Sequence, residues 1–459
     1  MQQPFSRRTF LSSSLVAAAA AARPQWSLAQ SGSARKPNVL IILADDLGAG
    51  DLSCCGGKDI RTPHVDSLFA AGMRMSNFYA NCPVCSPTRA ALLSGKYPEN
   101  VGVPGVIRTH PNNSWGYLLP SATLLPALLK PAGYATAAVG KWHLGLKEPN
   151  LPNLRGFDHF HGFLGDMMDD YNNHRRHGIN YMRLNDKEID PKGHATDLFT
   201  QWACEYLAGR KGNDQPFLLY LAYNAPHTPI QPPPEHLQRV TDREKDITQK
   251  RAKLVALIEH MDDGIGKVLA ALKAAGLEEN TLVVFTSDNG GDLPPGAFNG
   301  PWRAGKGTLY EGGIRVPAAI RWPGQVQPGS QCDRTSLTMD VVPTVLQVAG
   351  LAAADDLDGR GFLPALKGQA MKEPPRDLFW GRREGGGMFK GKTIECARRG
   401  EWKVIRSRPG AELELYNLAA DPYEKQDLAG SEKDKLAEMA KVLADQLARY
   451  AKVPWQAPG

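Results

Sequence analysis

Residues able to do chemistry fall in clusters along this 459-residue chain, each at the end of a short apolar run. Asp45-Asp46 follows the run 39–44, and Gly140-Lys141-Trp142-His143 follows 135–139. Asn224-Ala225-Pro226-His227 follows 217–222, and Ser287-Asp288-Asn289-Gly290 follows 282–285. Carboxylates and an amide offer hard oxygen donors, histidines can carry a proton, and lysines can hold an anion. Any one cluster is most simply a polar loop with a helix cap. Four at matching places point to one site. A further segment, Cys82-Pro83-Val84-Cys85-Ser86-Pro87-Thr88-Arg89, allows two readings. As a Cys-x-x-Cys pair it could be a redox or metal site, although no second such pair exists and the setting is not thioredoxin-like. As Cys-x-Pro-x-Arg it places one cysteine at the start of a helix, where amides and dipole favour an anion.

Elements must carry these clusters to one place. Apolar runs without alternation are expected of strands buried on both faces of a mainly parallel sheet. Between them lie helical stretches, among them 252–275, with Leu254, Leu257, Ile258, Met261, Ile265, Val268, Leu269 and Leu272 at helical spacing. The layout is α/β, a large mainly parallel mixed sheet sandwiched by helices. In such sheets ligands bind beyond the carboxyl ends of the strands, where these clusters fall. From about Arg376 the character changes. Short strand-like pieces at 378–380, 393–397, 402–405 and 413–418 predict a small antiparallel sheet. A last helix is expected to start from a capping box at Ser431-Glu432-Lys433-Asp434, with Leu436, Met439, Leu443, Leu447 and Tyr450 as its core face. This divides the chain into a leader at 1–29, a catalytic α/β domain at 36–370 and a C-terminal subdomain at 371–459.

The hydrophobic fraction of 42% excludes a disordered or fibrous chain. Net charge is +6, of which Arg7, Arg8 and Arg23 in the leader supply three, so a processed chain is too weakly basic to indicate nucleic acid. Seven cysteines in this length do not make a disulfide scaffold. Ser6-Arg7-Arg8-Thr9-Phe10-Leu11 is a twin-arginine pattern, followed by an apolar run and a small-residue site near Ala29. That run is about 12 residues, short of the roughly 20 needed to span a bilayer, so export to the periplasm or medium of a bacterium is expected, with no stable membrane insertion.

Cys85-Ser86-Pro87-Thr88-Arg89 resembles the signature of the type I, formylglycine-dependent sulfatases, an arylsulfatase-like family of the alkaline phosphatase superfamily. Asp45-Asp46, Gly140 to Gly145, Ala225-Pro226-His227, Ser287 to Gly290 and Lys306 to Gly313 resemble the family's remaining blocks in the family's order. Together they cover 38 to about 317, and Glu414 to Leu418 with Asp421-Pro422 resembles its C-terminal subdomain.

The resemblance implies hydrolysis of sulfate esters to alcohol and sulfate. Cys85 would be oxidised to formylglycine by a modifying enzyme. One hydroxyl of its hydrate would attack sulfur, and the other would later expel sulfate. It implies one calcium ion held by Asp45, Asp46, Asp288, Asn289 and the modified Cys85. An all-oxygen donor set suits calcium better than magnesium, which tends to retain waters, or zinc, which prefers Cys and His. Arg89 would steady the hydrate and metal cluster, Lys141 and Lys306 would hold sulfate oxygens, His143 would deprotonate the hydrate during release, and His227 would protonate the leaving alcohol. The twin-arginine translocase accepts folded cargo, so modification would precede export.

The substrate expected is a sulfated saccharide or related sulfate ester. The polar stretch 166–178 is long enough to form a rim, where His174, Arg175, Arg176 and His177 could meet further anionic groups. His64 and His110 read as structural. Two alternatives stay open: a phosphodiester or phosphonate hydrolase of the same superfold, and a catalytically inactive glycan-binding homologue.

Overall fold

The computed structural model describes residues 35–110, 113–371, 373–384 and 393–450. The twin-arginine leader lies outside the described residues. Four strands carry the site: β1 (Asn38–Ala44), β2 (Ala135–Lys141), β3 (Phe217–Ala222) and β4 (Thr281–Ser287). They lie in a ten-stranded sheet ordered Ser330–Cys332, Met73–Met75, Ala318–Arg321, β4, β1, β3, β2, His159–Phe163, Met182–Leu184, Lys187–Glu188. The pairs from β4 to His159–Phe163 are parallel, and the flanking pairs are mostly antiparallel.

The reason for the unbroken apolar runs is visible in β1. Val39, Ile41 and Leu43 enter one hydrophobic core, and Leu40, Ile42 and Ala44 enter a second on the opposite face. Both faces are dry, so alternation is lost. On the first face packs the helix α1 (Cys85–Ser94); on the second pack α2 (Ala195–Gly209) and α4 (Gln249–Ala274), with α3 (Pro234–Arg243) against α4.

Register brings the strand ends level. Ala44 pairs with Ser287, Leu43 with Ala222, and Ala222 with Gly140. Gly140 has φ +102°, and a Cβ there would lie 2.0 Å from the Ala222 carbonyl oxygen, so only glycine lets β2 run beside β3 into Lys141. The glycines of two distant blocks meet as well. A Cβ on Gly290 would lie 1.9 Å from the Gly312 carbonyl oxygen, which ties the Asp288 loop to the Lys306 loop.

Strands Asp377–Arg383, Thr393–Arg399, Trp402–Arg406 and Glu414–Asn417 form the antiparallel C-terminal sheet. Helix α5 (Lys433–Tyr450) covers it with Met439, Val442, Leu443 and Tyr450. The expected capping box is corrected. The helix begins at Lys433, and the Ser431 hydroxyl donates back to the Leu428 carbonyl at 3.3 Å. Buried Lys403 donates to Glu311 (2.9 Å) and Glu424 (2.8 Å), and Tyr79 donates to Glu311 (2.7 Å), so the small sheet holds the end of the Lys306 loop. No helix among the described residues is long and apolar enough to cross a membrane.

Candidate active site

Cys85 opens α1, and every residue of that helix is buried. Arg89 follows one turn later at i+4, on the same face, which gives the Cys-x-Pro-x-Arg spacing its physical reason. Pro87 sits in the first turn, where no intrahelical N–H is needed. Thr88 Oγ1 accepts from the Cys82 N–H and donates to the Cys82 carbonyl, both at 3.0 Å, closing the loop that leads in. Ser86 Oγ accepts from Ile107 N–H at 3.1 Å, while the Ile107 carbonyl lies 2.7 Å from His143 Nε2. The helix start and the imidazole thus share one anchor. Cys82 points elsewhere: its thiol donates to the Gly381 carbonyl at 3.2 Å, and all seven cysteines are free.

Three carboxylates and three cations interleave beyond the strand ends. Arg89 donates to Asp288 Oδ2 through Nε (3.0 Å) and Nη2 (2.6 Å) and to the Lys141 carbonyl through Nη1 (3.3 Å). Lys141 Nζ reaches Asp45 Oδ2 at 2.5 Å, and Lys306 Nζ reaches Asp46 Oδ2 at 2.6 Å. Asn289 Nδ2 donates to Asp46 Oδ1 at 2.8 Å, and His227 Nε2 lies 3.6 Å from Asp46 Oδ2. Asp46 (φ 67°) and His143 (φ 58°) both hold left-handed backbone, an unfavourable state for residues with a Cβ that tertiary structure must enforce.

Burial and crowding set the protonation states. Burial pushes the Asp288 carboxyl up to about 7, helped by neighbouring Asp45. Burial would raise Asp45 too, but Lys141, His227 and Arg89 hold it well below the ordinary carboxylate range. Burial, then Lys141 and Arg89, push His143 well below the ordinary imidazole value; burial and Lys306 lower His227. Burial pushes the Cys85 thiol well up, so as an ordinary cysteine it is protonated and a poor nucleophile.

The donor set fits a hard divalent cation. Asp45 Oδ1 and Asn289 Oδ1 are buried and make no hydrogen bond, with Arg89 Nη2 3.5 Å from the former. Ligand atoms of Asp45, Asp46, Cys85 and His227 lie within 4.8 Å of one another. Orphaned buried oxygens beside clustered carboxylates are costly without a positive partner, and oxygen donors select calcium or magnesium over zinc.

The site opens into a cavity of about 230 Å³ lined by Val84, Cys85, Val106, Arg108, His143, Asp166, Met167, Arg176, His227, Lys306 and Arg382. All six residues expected to be catalytic, with Asp45, Asp46, Asp288 and Asn289, therefore surround one floor. Of the four basic residues expected at the rim, only Arg176 lines it. His174 is wholly buried against the Gly193 carbonyl (2.8 Å), Arg175 pairs with Asp190 (2.9 Å), and exposed His177 donates its backbone N–H to Asp169. Two cavity arginines escaped the sequence reading. Arg108 and Arg382 both lie on Glu384 (2.9 and 3.1 Å), and Arg382 arrives from the C-terminal sheet, whose local pattern carries no sign of a site.

Cations and proton carriers around a buried cysteine and an oxygen cluster, at the carboxyl edge of a doubly covered sheet, define a hydrolase of anionic esters. Residues 37–351 match the sulfatase family, and 302–453 match the N-sulphoglucosamine sulphohydrolase C-terminal family. The chain belongs to the sulfatase family and is a sulfuric ester hydrolase. It is 34% identical to mouse N-acetylgalactosamine-6-sulfatase over 401 residues, covering 82% of this chain and 73% of that one. Mouse steryl-sulfatase is 33% identical, covering 75% and 67%. The crystal structure of Ps i-CgsB in complex with k-i-k-neocarrahexaose superposes with a TM-score of 0.82 at 32% identity, covering 92% and 94%.

Proposed function

We propose that the protein, exported by the twin-arginine route to the periplasm or medium, removes sulfate from a sulfated saccharide, using Cys85 converted to formylglycine and one calcium ion. The observation that carries this reading is the cavity itself. Cys85 lies at its floor among Lys306, His143 and His227, while Arg108, Arg176 and Arg382 line its wall, an arrangement suited to a polar, anionic ligand. Two similar proteins act on or bind saccharides by name, N-acetylgalactosamine-6-sulfatase and the carrahexaose complex.

Converted to formylglycine, residue 85 would supply a hydrated aldehyde, with one hydroxyl to attack sulfur and one whose deprotonation would release sulfate. Asp45, Asp46, Asp288 and Asn289 would hold the calcium ion, whose positive charge would lower the hydroxyl pKa. Lys141 and Lys306 hold sulfate oxygens, and Arg89 fixes Asp288 beneath residue 85. His227 gives its proton to the departing sugar oxygen; a bound sulfate ester adds negative charge beside the imidazole and raises its proton affinity. His143, anchored through Nε2 with its buried Nδ1 unpartnered, takes the proton during release. Folded export requires that conversion of buried Cys85 come first.

The test compares kcat/KM for a sulfated monosaccharide and its phosphate counterpart on one preparation. Faster turnover of the sulfate is expected. Faster turnover of the phosphate would favour the phosphoesterase alternative, and no turnover of either with Cys85 fully converted would favour a glycan-binding protein.

Metal removal gives a second expectation. Chelation, Asp45→Ala or Asp288→Ala should lower calcium content and melting temperature, because the remaining clustered carboxylates lose the ion's share of their counter-charge and mass action no longer favours the folded state. At a hundredfold excess over Kd the binding term is about 2.7 kcal/mol. Calcium should restore turnover to the chelated enzyme and zinc should not. Unchanged melting after verified metal loss would contradict the assignment.

A further inference from the structure

Two cysteines outside the catalytic cavity are neighbours in the chain. Cys54 and Cys55 end the short 3₁₀ turn Ser53–Cys55, with their sulfurs 3.7 Å apart. Both are half-buried, and a Cβ on the exposed Gly56 that follows would meet nothing within 4 Å, so the turn opens to solvent. We infer that Cys54 and Cys55 form a thiol–disulfide exchange site, with Cys55 as the attacking sulfur, Cys54 as the resolving one, and a small disulfide such as oxidised glutathione as co-reactant.

The surroundings assign the two roles. Arg74, on the strand Met73–Met75, donates from Nη1 to Cys55 Sγ at 3.2 Å and from Nη2 to the Cys54 carbonyl at 2.9 Å. Its guanidinium carbon lies 4.4 Å from the centre of the Phe69 ring, which holds the fork in place. A guanidinium beside a sulfur favours the thiolate, the form that attacks. Cys54 lies instead beside a carboxylate, its N–H donating to Asp66 Oδ1 at 3.2 Å. The hydrogen bond from Cys54, with the charge of Arg74, outweighs burial and brings the Cys55 thiol down to about 7, while that same bond, burial and Asp66 push Cys54 up. Attack is fastest from a thiol whose pKa lies near the ambient pH.

The exchange balances in two steps. The Cys55 thiolate attacks one sulfur of the small disulfide, breaks its S–S bond, joins one half and releases the other, which takes a proton from solvent. Cys54 then gives its proton to solvent, and its sulfur attacks Cys55 Sγ and expels the second half as thiol. The protein dithiol loses two electrons and the small disulfide gains them. Neighbouring Cα atoms stand about 3.8 Å apart across a trans peptide, closer than the roughly 4.4–6.8 Å of ordinary disulfides, so the bridge is strained and readily reduced. The dithiol is therefore the resting form, and closure is the reversible step.

The experiment incubates the intact enzyme with excess oxidised glutathione, alkylates the remaining thiols and reads the peptide carrying residues 54 and 55 by mass spectrometry. The parent enzyme should lose both alkylatable thiols there with no added group, the peptide being lighter by two hydrogens, and reduced glutathione should restore them. Cys54→Ser should stop at a lasting glutathionyl adduct on Cys55, and Cys54 in Cys55→Ser should gain that adduct more slowly. The parent measurement needs no variant to fold, and none of these readouts depends on the state of Cys85. Survival of both thiols, a lasting adduct in the parent, or equal rates in the two variants would each overturn the site.

Discussion

Cys85→Ala should lower kcat/KM by on the order of 10⁶, the scale of losing a nucleophile that works as part of a unit. The fold should survive, because the substitution removes a single sulfur from the wall of a cavity rather than from a packed core. Cys82→Ala is the matching control. The Cys82 thiol bonds to the Gly381 carbonyl and does not line the cavity, so its loss should change turnover little. A comparable loss at Cys82 would return the Cys-x-x-Cys reading to consideration. The contrast has a physical source in the raw thiol. Burial holds it protonated, and a neutral thiol attacks poorly, which favours the proposed conversion of this residue.

His227→Ala should discriminate by leaving group. General acid catalysis contributes about 10² to 10⁴ in rate, and a sugar alkoxide needs it far more than a phenolate does. The loss should approach that range on a saccharide sulfate and be much smaller on a nitrophenyl sulfate. Lys306→Ala should hurt both, since the sulfate oxygens it is proposed to hold are common to the two substrates. Equal losses for His227→Ala on both would move the acid elsewhere. Lys306 is the first candidate, because it lies on the same carboxylate, Asp46, as His227.

The sheet and the floor of the site were legible because their signals are local. A strand buried on both faces must be continuously apolar, as 39–44 is. A parallel sheet then delivers its loop residues to one edge, which is why Asp45, Lys141, His227 and Asp288 meet. The spacing from Cys85 to Arg89 is one helical turn. Signals that depend on distant partners were silent. Arg382 looks like any arginine on an antiparallel strand until Glu384 and Arg108 gather beside it at the cavity wall. His174 sits in a polar stretch, yet its backbone turn places it in the interior against Gly193. Tyr171 gave no sign that its hydroxyl lies 2.7 Å from the Asn224 carbonyl and 2.9 Å from that of His227, bracing the loop that carries His227. Ser431 has the composition of a cap, but the chain leaves the preceding turn so that its hydroxyl reaches Leu428 instead.

The most direct test of the account is mass spectrometry of the Cys85 peptide from active enzyme made in its native host, with the other six cysteines as internal references. The expected result is an aldehyde at residue 85 and thiols elsewhere, with specific activity rising in proportion to the converted fraction. Full activity from enzyme carrying only an unmodified thiol at Cys85 would contradict it.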